Sequence, residues 1–207
     1  MNRKDFLGSI AGGLFAATAM SQGRTIRKVS DGCDGCELIY AGMPSELSNT
    51  AYLPDWNEDM HKMIVEGYLF KKDGITPAAG VTLYIYHTDS KGRYSPAPNQ
   101  KLALRHGHIR GWIKTAADGF YRFYTCLPAP YPEHNEPAHI HPVVKEADTN
   151  EYYIDEYIFE GDALLTAAYR SKLQNRGGSG IVKLTKNANG WWVCKRNIVL
   201  GLNIPNY

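Results

Sequence analysis

The run Asp118-Gly-Phe-Tyr-Arg-Phe-Tyr-Thr-Cys-Leu-Pro-Ala-Pro-Tyr131-Pro-Glu-His-Asn-Glu-Pro-Ala-His139-Ile-His141-Pro contains a turn, a strand, a stiff loop and the start of a second strand. Asp118-Gly119 is a turn dipeptide between two β-prone runs, 110–114 and 120–125, and predicts a hairpin there. The β-prone pattern continues outward in both directions. Residues 63–70 and 81–86 are rich in β-branched and aromatic residues, and Lys72-Asp-Gly74 punctuates them. Downstream, 138–144, 154–159, 181–186 and 191–195 read as further strands, the last two joined by the hairpin signal Asn187-Ala-Asn-Gly190. Helical spacing occurs at 162–174, where Leu164, Leu165, Ala168 and Tyr169 share a face and Gly177-Gly178 follows. Many short strands with Gly and Pro turns predict a mainly β protein, a two-sheet sandwich with one short helix.

The same run concentrates metal-binding chemistry. Residues i and i+2 of a strand project from one face, so His139 and His141 can aim at a common point. Pro130 and Pro132 bracket Tyr131 and fix the backbone around it. Tyr94 closes a Gly92-Arg-Tyr94 turn upstream. Imidazole nitrogens together with phenolate oxygens suit a hard, oxidised ion such as Fe(III) better than a soft one. The bland reading of each piece is a surface His-x-His beside a proline-rich loop and a turn tyrosine packed on the surface. His61, His87, His106, His108 and His134 have weaker claims.

These segments resemble the intradiol catechol dioxygenases. The resemblance rests on Asp118–Pro132, on Pro137-Ala-His139-Ile-His141, on Gly80–Tyr94 upstream and on Phe159-Glu-Gly-Asp-Ala-Leu164 downstream. It covers roughly residues 60–165 and implies a two-sheet sandwich with non-haem Fe(III). Four ligands are implied, Tyr94 and His141 equatorial and Tyr131 and His139 axial. The implied reaction is O2-dependent cleavage of a catechol between its hydroxyl-bearing carbons to a cis,cis-muconate-type diacid, with Tyr131 leaving the metal to accept a substrate proton. Two positions depart from the better-known members. Glu136 stands where they carry arginine three residues before the first ligand histidine, and Glu156 stands where they carry glutamine. Arg110 or Arg122, on neighbouring strands, is a candidate to replace the missing positive charge.

With 207 residues the chain is long enough for one domain with a proper core. A net charge of +2 with no long basic run argues against nucleic acid or an anionic membrane surface as partner. Arg3-Lys4, the apolar run from Phe6 and Ala17-Thr-Ala19 read as an export signal over 1–19, too short to span a bilayer. Asn2-Arg-Lys-Asp-Phe-Leu7 also resembles a twin-arginine signal with one arginine replaced. The expected location is periplasmic or extracellular. Residues 20–58 read as an extended N-terminal arm and 59–207 as the sandwich domain. Four cysteines in an exported chain predict disulfides, with Cys33 and Cys36 pairing with each other or reaching Cys126 or Cys194. Self-association into a homo-oligomer stays open.

Three rival readings stand beside this one. A zinc site of all four cysteines suffers from having one C-x-x-C pair where two are usual. A cupin would use His139, His141 and Glu146, but no histidine follows His141 to complete that set. An exported β-sandwich binding module on the same scaffold, without catalysis, is the non-enzymatic alternative.

Overall fold

The computed structural model describes residues 25–57, 61–98, 100 and 105–207; the expected export signal lies outside them. In chain order the first strands are β1 (Thr50–Tyr52), β2 (Lys62–Phe70), β3 (Thr82–His87), β4 (Arg110–Lys114), β5 (Phe120–Cys126) and β6 (His139–Lys145). Then follow β7 (Tyr152–Tyr153), β8 (Tyr157–Phe159), β9 (Ile181–Val182), β10 (Thr185–Lys186), β11 (Trp192–Lys195) and β12 (Ile198–Val199). One sheet runs β1-β5-β2-β11-β10, with β12 also on β2; the other runs β4-β3-β6-β8-β9, with β7 also on β6. The two sheets stack as a sandwich.

β2 shows why these residues form strands. Met63, Val65 and Leu69 are buried while Lys62, Glu66 and Tyr68 turn outward, so period-two alternation sets the inner face. Leu83 and Ile85 of β3 and Tyr121 and Phe123 of β5 meet them in one inter-sheet core. Each fully buried aliphatic or aromatic side chain contributes roughly 1.5–3 kcal/mol. β3 is buried on both faces: Tyr84 and Tyr86 point away from this core into a second cluster with Cys36, Ile39 and Val143. The N-terminal segment forms this cover, where a 3-10 turn at Cys36–Tyr40 lies on the second sheet and the Trp112 indole donates to the Ile39 carbonyl at 2.6 Å.

Three sequence expectations change in the structure. The Asp118-Gly119 turn is not a hairpin, because β4 pairs with β3 whereas β5 pairs with β2 from Lys62↔Cys126 to Tyr68↔Phe120. The turn therefore carries the chain from one sheet to the other, and the Leu69 N–H donates to the Gly119 carbonyl at 2.9 Å to anchor it. Residues 181–186 likewise split into β9 on the second sheet and β10 on the first. The helix expected over 162–174 contracts to α1 (Ala167–Arg170), capped by the Thr166 side chain. No residue of α1 is buried, so no packed apolar face supports a longer helix. The Asn187–Gly190 hairpin joins β10 to β11 as expected.

Candidate metal centre

The site grows from the start of β6. Ile140 and Val144 point into the inter-sheet core and Val143 into the outer cluster, so His139 and His141 share the outer face of the second sheet. Opposite His141, Tyr86 of β3 stacks its ring on the imidazole at 4.6 Å between centroids and 16° between planes. His106 stacks on the other face of this assembly, 3.6 Å from Tyr86.

Two loops bring the tyrosines to these histidines. Thr88–Ser95 folds around Asp89, whose carboxylate accepts from the N–H groups of Lys91 and Arg93 at 2.8 and 3.0 Å. The Thr88 hydroxyl donates to the Ala129 carbonyl at 2.7 Å, and the Ala129 N–H donates to the Asp89 carbonyl at 3.1 Å. These bonds stitch the Tyr94 loop to the Tyr131 loop. Gly92 sits at φ 76°, and a Cβ there would lie 2.0 Å from the Pro130 carbonyl oxygen. Only glycine permits that approach.

The four polar atoms then converge. The Tyr94 and Tyr131 hydroxyls are 2.7 Å apart, Tyr131 lies 3.3 Å from His141 Nε2, and the two Nε2 atoms are 3.0 Å apart. His139 Nδ1 donates to the Pro137 carbonyl at 2.7 Å, which leaves its Nε2 lone pair directed at His141. Glu156 lies 3.6 Å from His141 Nδ1, an ion-pair distance that favours the proton on that nitrogen. Two nitrogen lone pairs thus face each other beside two phenols, an arrangement that a cation between them relieves. Burial, and then the neighbouring His141, lowers the His139 pKa. Burial pushes the Tyr94 and Tyr131 phenols up, so ionising them at neutral pH requires a strong local positive charge. Burial also opposes ionisation of Glu156, but the His141 imidazole outweighs it and holds the carboxyl at about 2. The donor set fits a hard trivalent or divalent ion. Among the described residues no three His, Cys, Asp or Glu side chains gather around a point, which excludes the four-cysteine zinc site.

A cleft of about 890 Å³ opens over this centre, bordered by Tyr94, Tyr131, Glu136, His141 and Glu156. Arg110 does not reach it. It lines a neighbouring hollow with Asp55 and His108, and its guanidinium lies over the Trp112 ring at 5.6 Å. Arg122 is on the other sheet, paired with Glu66 at 2.6 Å. The other histidines have separate tasks. His87 is buried between the sheets and bonds Thr125 Oγ1 at 2.7 Å, and His108 pairs with Asp55 at 2.7 Å. Glu146 accepts from the Tyr152 and Tyr207 hydroxyls at 2.6 and 3.0 Å, away from the cleft, so the cupin set does not assemble.

Sequence reasoning missed Tyr86 and Tyr153 and gave His106 only a weak claim. Tyr153 donates to the Asp34 carbonyl at 2.6 Å, and Arg105 pairs with the Asp34 carboxylate. The alternation Leu83-Tyr84-Ile85-Tyr86 was the available signal for Tyr86, since a second buried face needs a cover. Cys33 and Cys36 form a close pair in that cover, their Cα atoms 5.4 Å apart, within disulfide range. Cys126 and Cys194 are instead buried in the inter-sheet core.

The outer face of the sandwich thus carries two phenols and two imidazoles around one point. A sequence profile described as "Dioxygenase" matches residues 39–186. Catechol 1,2-dioxygenase 1 of Acinetobacter lwoffii is 28% identical over 184 aligned positions, covering 72% of this chain and 58% of that protein. The chain thus spans under two thirds of that relative's length. Among solved structures, catechol 1,2-dioxygenase from Acinetobacter sp. ADP1 superposes with a TM-score of 0.58 at 23% identity, covering 77% of this chain and 58% of that one. The dioxygenase domain of a dioxygenase carbohydrate-binding protein fusion from Streptomyces sp. SirexAA-E gives 0.55 at 21% identity, covering 76% and 91%. The chain belongs to the intradiol dioxygenase family.

Proposed function

We propose that this protein is an intradiol ring-cleavage dioxygenase that uses Fe(III) and O2 to open a catechol-type diol to a cis,cis-muconate-type diacid. The observation that carries the reading is the convergence of Tyr94, Tyr131, His139 and His141, each within hydrogen-bonding distance of the next. Bound there, Fe(III) would draw charge from the diol oxygens and make the ring reactive toward O2. The chain supplies the rest. Tyr131 lies on the cleft side, and burial makes its phenolate a strong base, suited to take a proton from an incoming hydroxyl. Tyr94 is pinned by the Asp89 turn and remains a ligand. Glu156 steadies the His141 tautomer, and the Tyr86 ring fixes the imidazole plane. Glu136 borders the cleft and shapes which diol enters.

The test is to load the purified protein with iron, quantify the metal and follow oxygen uptake with catechol. One iron per chain, a red-brown tyrosinate-to-metal absorption and a diacid product are expected. Iron-loaded protein that consumes no oxygen with any catechol would overturn the reading. Residues 1–19 are proposed as an export signal, and the Cys33–Cys36 pair as a disulfide formed after export.

A further inference from the structure

The cleft is larger than the ring it is proposed to hold. About 890 Å³ lies near the top of the roughly 300–1,000 Å³ that encloses drug-sized ligands, far more than one six-membered ring with two hydroxyls fills. Its charged groups are unevenly satisfied. Arg105 pairs with Asp34, Arg176 with Asp31 at 2.8 Å, and Glu156 with His141 at 3.6 Å. Asp155 accepts from the N–H groups of Asn175 and Arg176 at 2.8 and 3.1 Å. Among the described residues that leaves Glu136 and Lys172 as the lining charges with neither an ion pair nor a hydrogen bond at the side chain. Glu136 is on the Tyr131 loop. Lys172 follows α1, its N–H donating to the Tyr169 carbonyl at 3.0 Å. Tyr169 and Leu173 line the same cleft.

We propose that the preferred substrate is an ortho-diol ring carrying a flexible tail that ends in an anion, with the tail running past Tyr169 and Leu173 so that its charge meets Lys172. Glu136 then disfavours a carboxylate attached directly to the ring, because that anion would sit beside the Tyr131 loop, short of Lys172. The substrate class follows from two lining charges without a side-chain partner, a negative one on the Tyr131 loop and a positive one on the segment after α1. This inference rests on the ring-cleavage reading, and it concerns only which diol that site takes.

The experiment is isothermal titration calorimetry of the iron-loaded protein under nitrogen. The ligands are catechol, 3,4-dihydroxybenzoate, 3-(3,4-dihydroxyphenyl)propanoate and the methyl ester of that propanoate. Oxygen-uptake kinetics on the same four follow. The propanoate is expected to bind about two- to fivefold more tightly than its ester, the size of one exposed ion pair, and the benzoate more weakly than catechol. Lys172→Ala should abolish the preference for acid over ester, and Lys172→Glu should reverse it. An ester bound as well as the acid would overturn the tail assignment, as would a preference unchanged in both Lys172 variants. If catechol binds and is cleaved while these preferences are absent, only this inference fails. If catechol neither binds nor is cleaved, the ring-cleavage reading fails with it.

Discussion

At the scale of residues, the candidate centre is a set of four donors whose protonation is governed by burial. Among the described residues Tyr94 has no hydrogen-bond partner at its hydroxyl other than Tyr131, so removing that oxygen deletes one donor and leaves the Asp89 turn intact. Tyr94→Phe is expected to bind substoichiometric iron and to show a weakened and shifted visible band, checked by metal analysis and absorption. An unchanged spectrum would remove Tyr94 from the ligand set. Glu136 borders the cleft, and its proposed role is through charge instead of coordination. In Glu136→Arg, like-charge repulsion of a ring carboxylate becomes attraction. With about 1 kcal/mol or more at stake for charges near 4 Å, kcat/KM for 3,4-dihydroxybenzoate should rise by roughly fivefold or more. Arg110 lines the neighbouring hollow and not this cleft, with its guanidinium over the Trp112 ring at 5.6 Å.

At the scale of elements, β3 links the core to the centre. Its outward residues, Tyr84 and Tyr86, build the wall behind His141, while inward His87 ties the strand to Thr125 of β5. Burial lowers the His87 pKa to about 4 from an ordinary 6.5. The unfolded chain therefore binds a proton at a higher pH than the folded one. His87 imposes no pH penalty above about 6.5, and stability falls as pH drops from there toward about 4, by on the order of 2–3 kcal/mol for this group alone. Urea denaturation at pH 7.5 and 4.5 should show the loss, and His87→Gln should flatten the difference. An equally steep dependence in the variant would assign the effect to other groups. Alternation along β3 was legible in the sequence, but alternation cannot say what covers an outer face. The residues doing so, Cys36 and Ile39, arrive from more than forty positions upstream.

At the scale of the whole molecule, the two sheets divide the cysteines into two environments. Cys126 and Cys194 are in the inter-sheet core, and burial pushes the Cys194 thiol up to about 12. Cys33 and Cys36 belong to the cover over the second sheet. Native protein should therefore show no thiol reactive to an aromatic disulfide reagent. Two should appear on unfolding without reductant, and four after reduction. Four reactive thiols in the unreduced, unfolded protein would exclude the Cys33–Cys36 bond.

The sequence by itself determined the β-rich character, most strand positions, the outward pairing of His139 with His141 and the family to which the motifs point. These follow from local rules, namely side-chain alternation, turn chemistry and the spacing of donors. Tertiary structure alone decided which sheet each strand joins. Asp118-Gly119 has the local chemistry of a hairpin, yet β5 pairs along its whole length with β2 while β4 pairs with β3, so the turn crosses the sandwich. The same holds for the site. Tyr94 reaches Tyr131 because Gly92 packs on the Pro130 carbonyl, and Lys172 borders the cleft because the chain after α1 folds over it. Those contacts join residues far apart in the chain, and their energy comes from long-range burial and hydrogen bonding that no local pattern encodes.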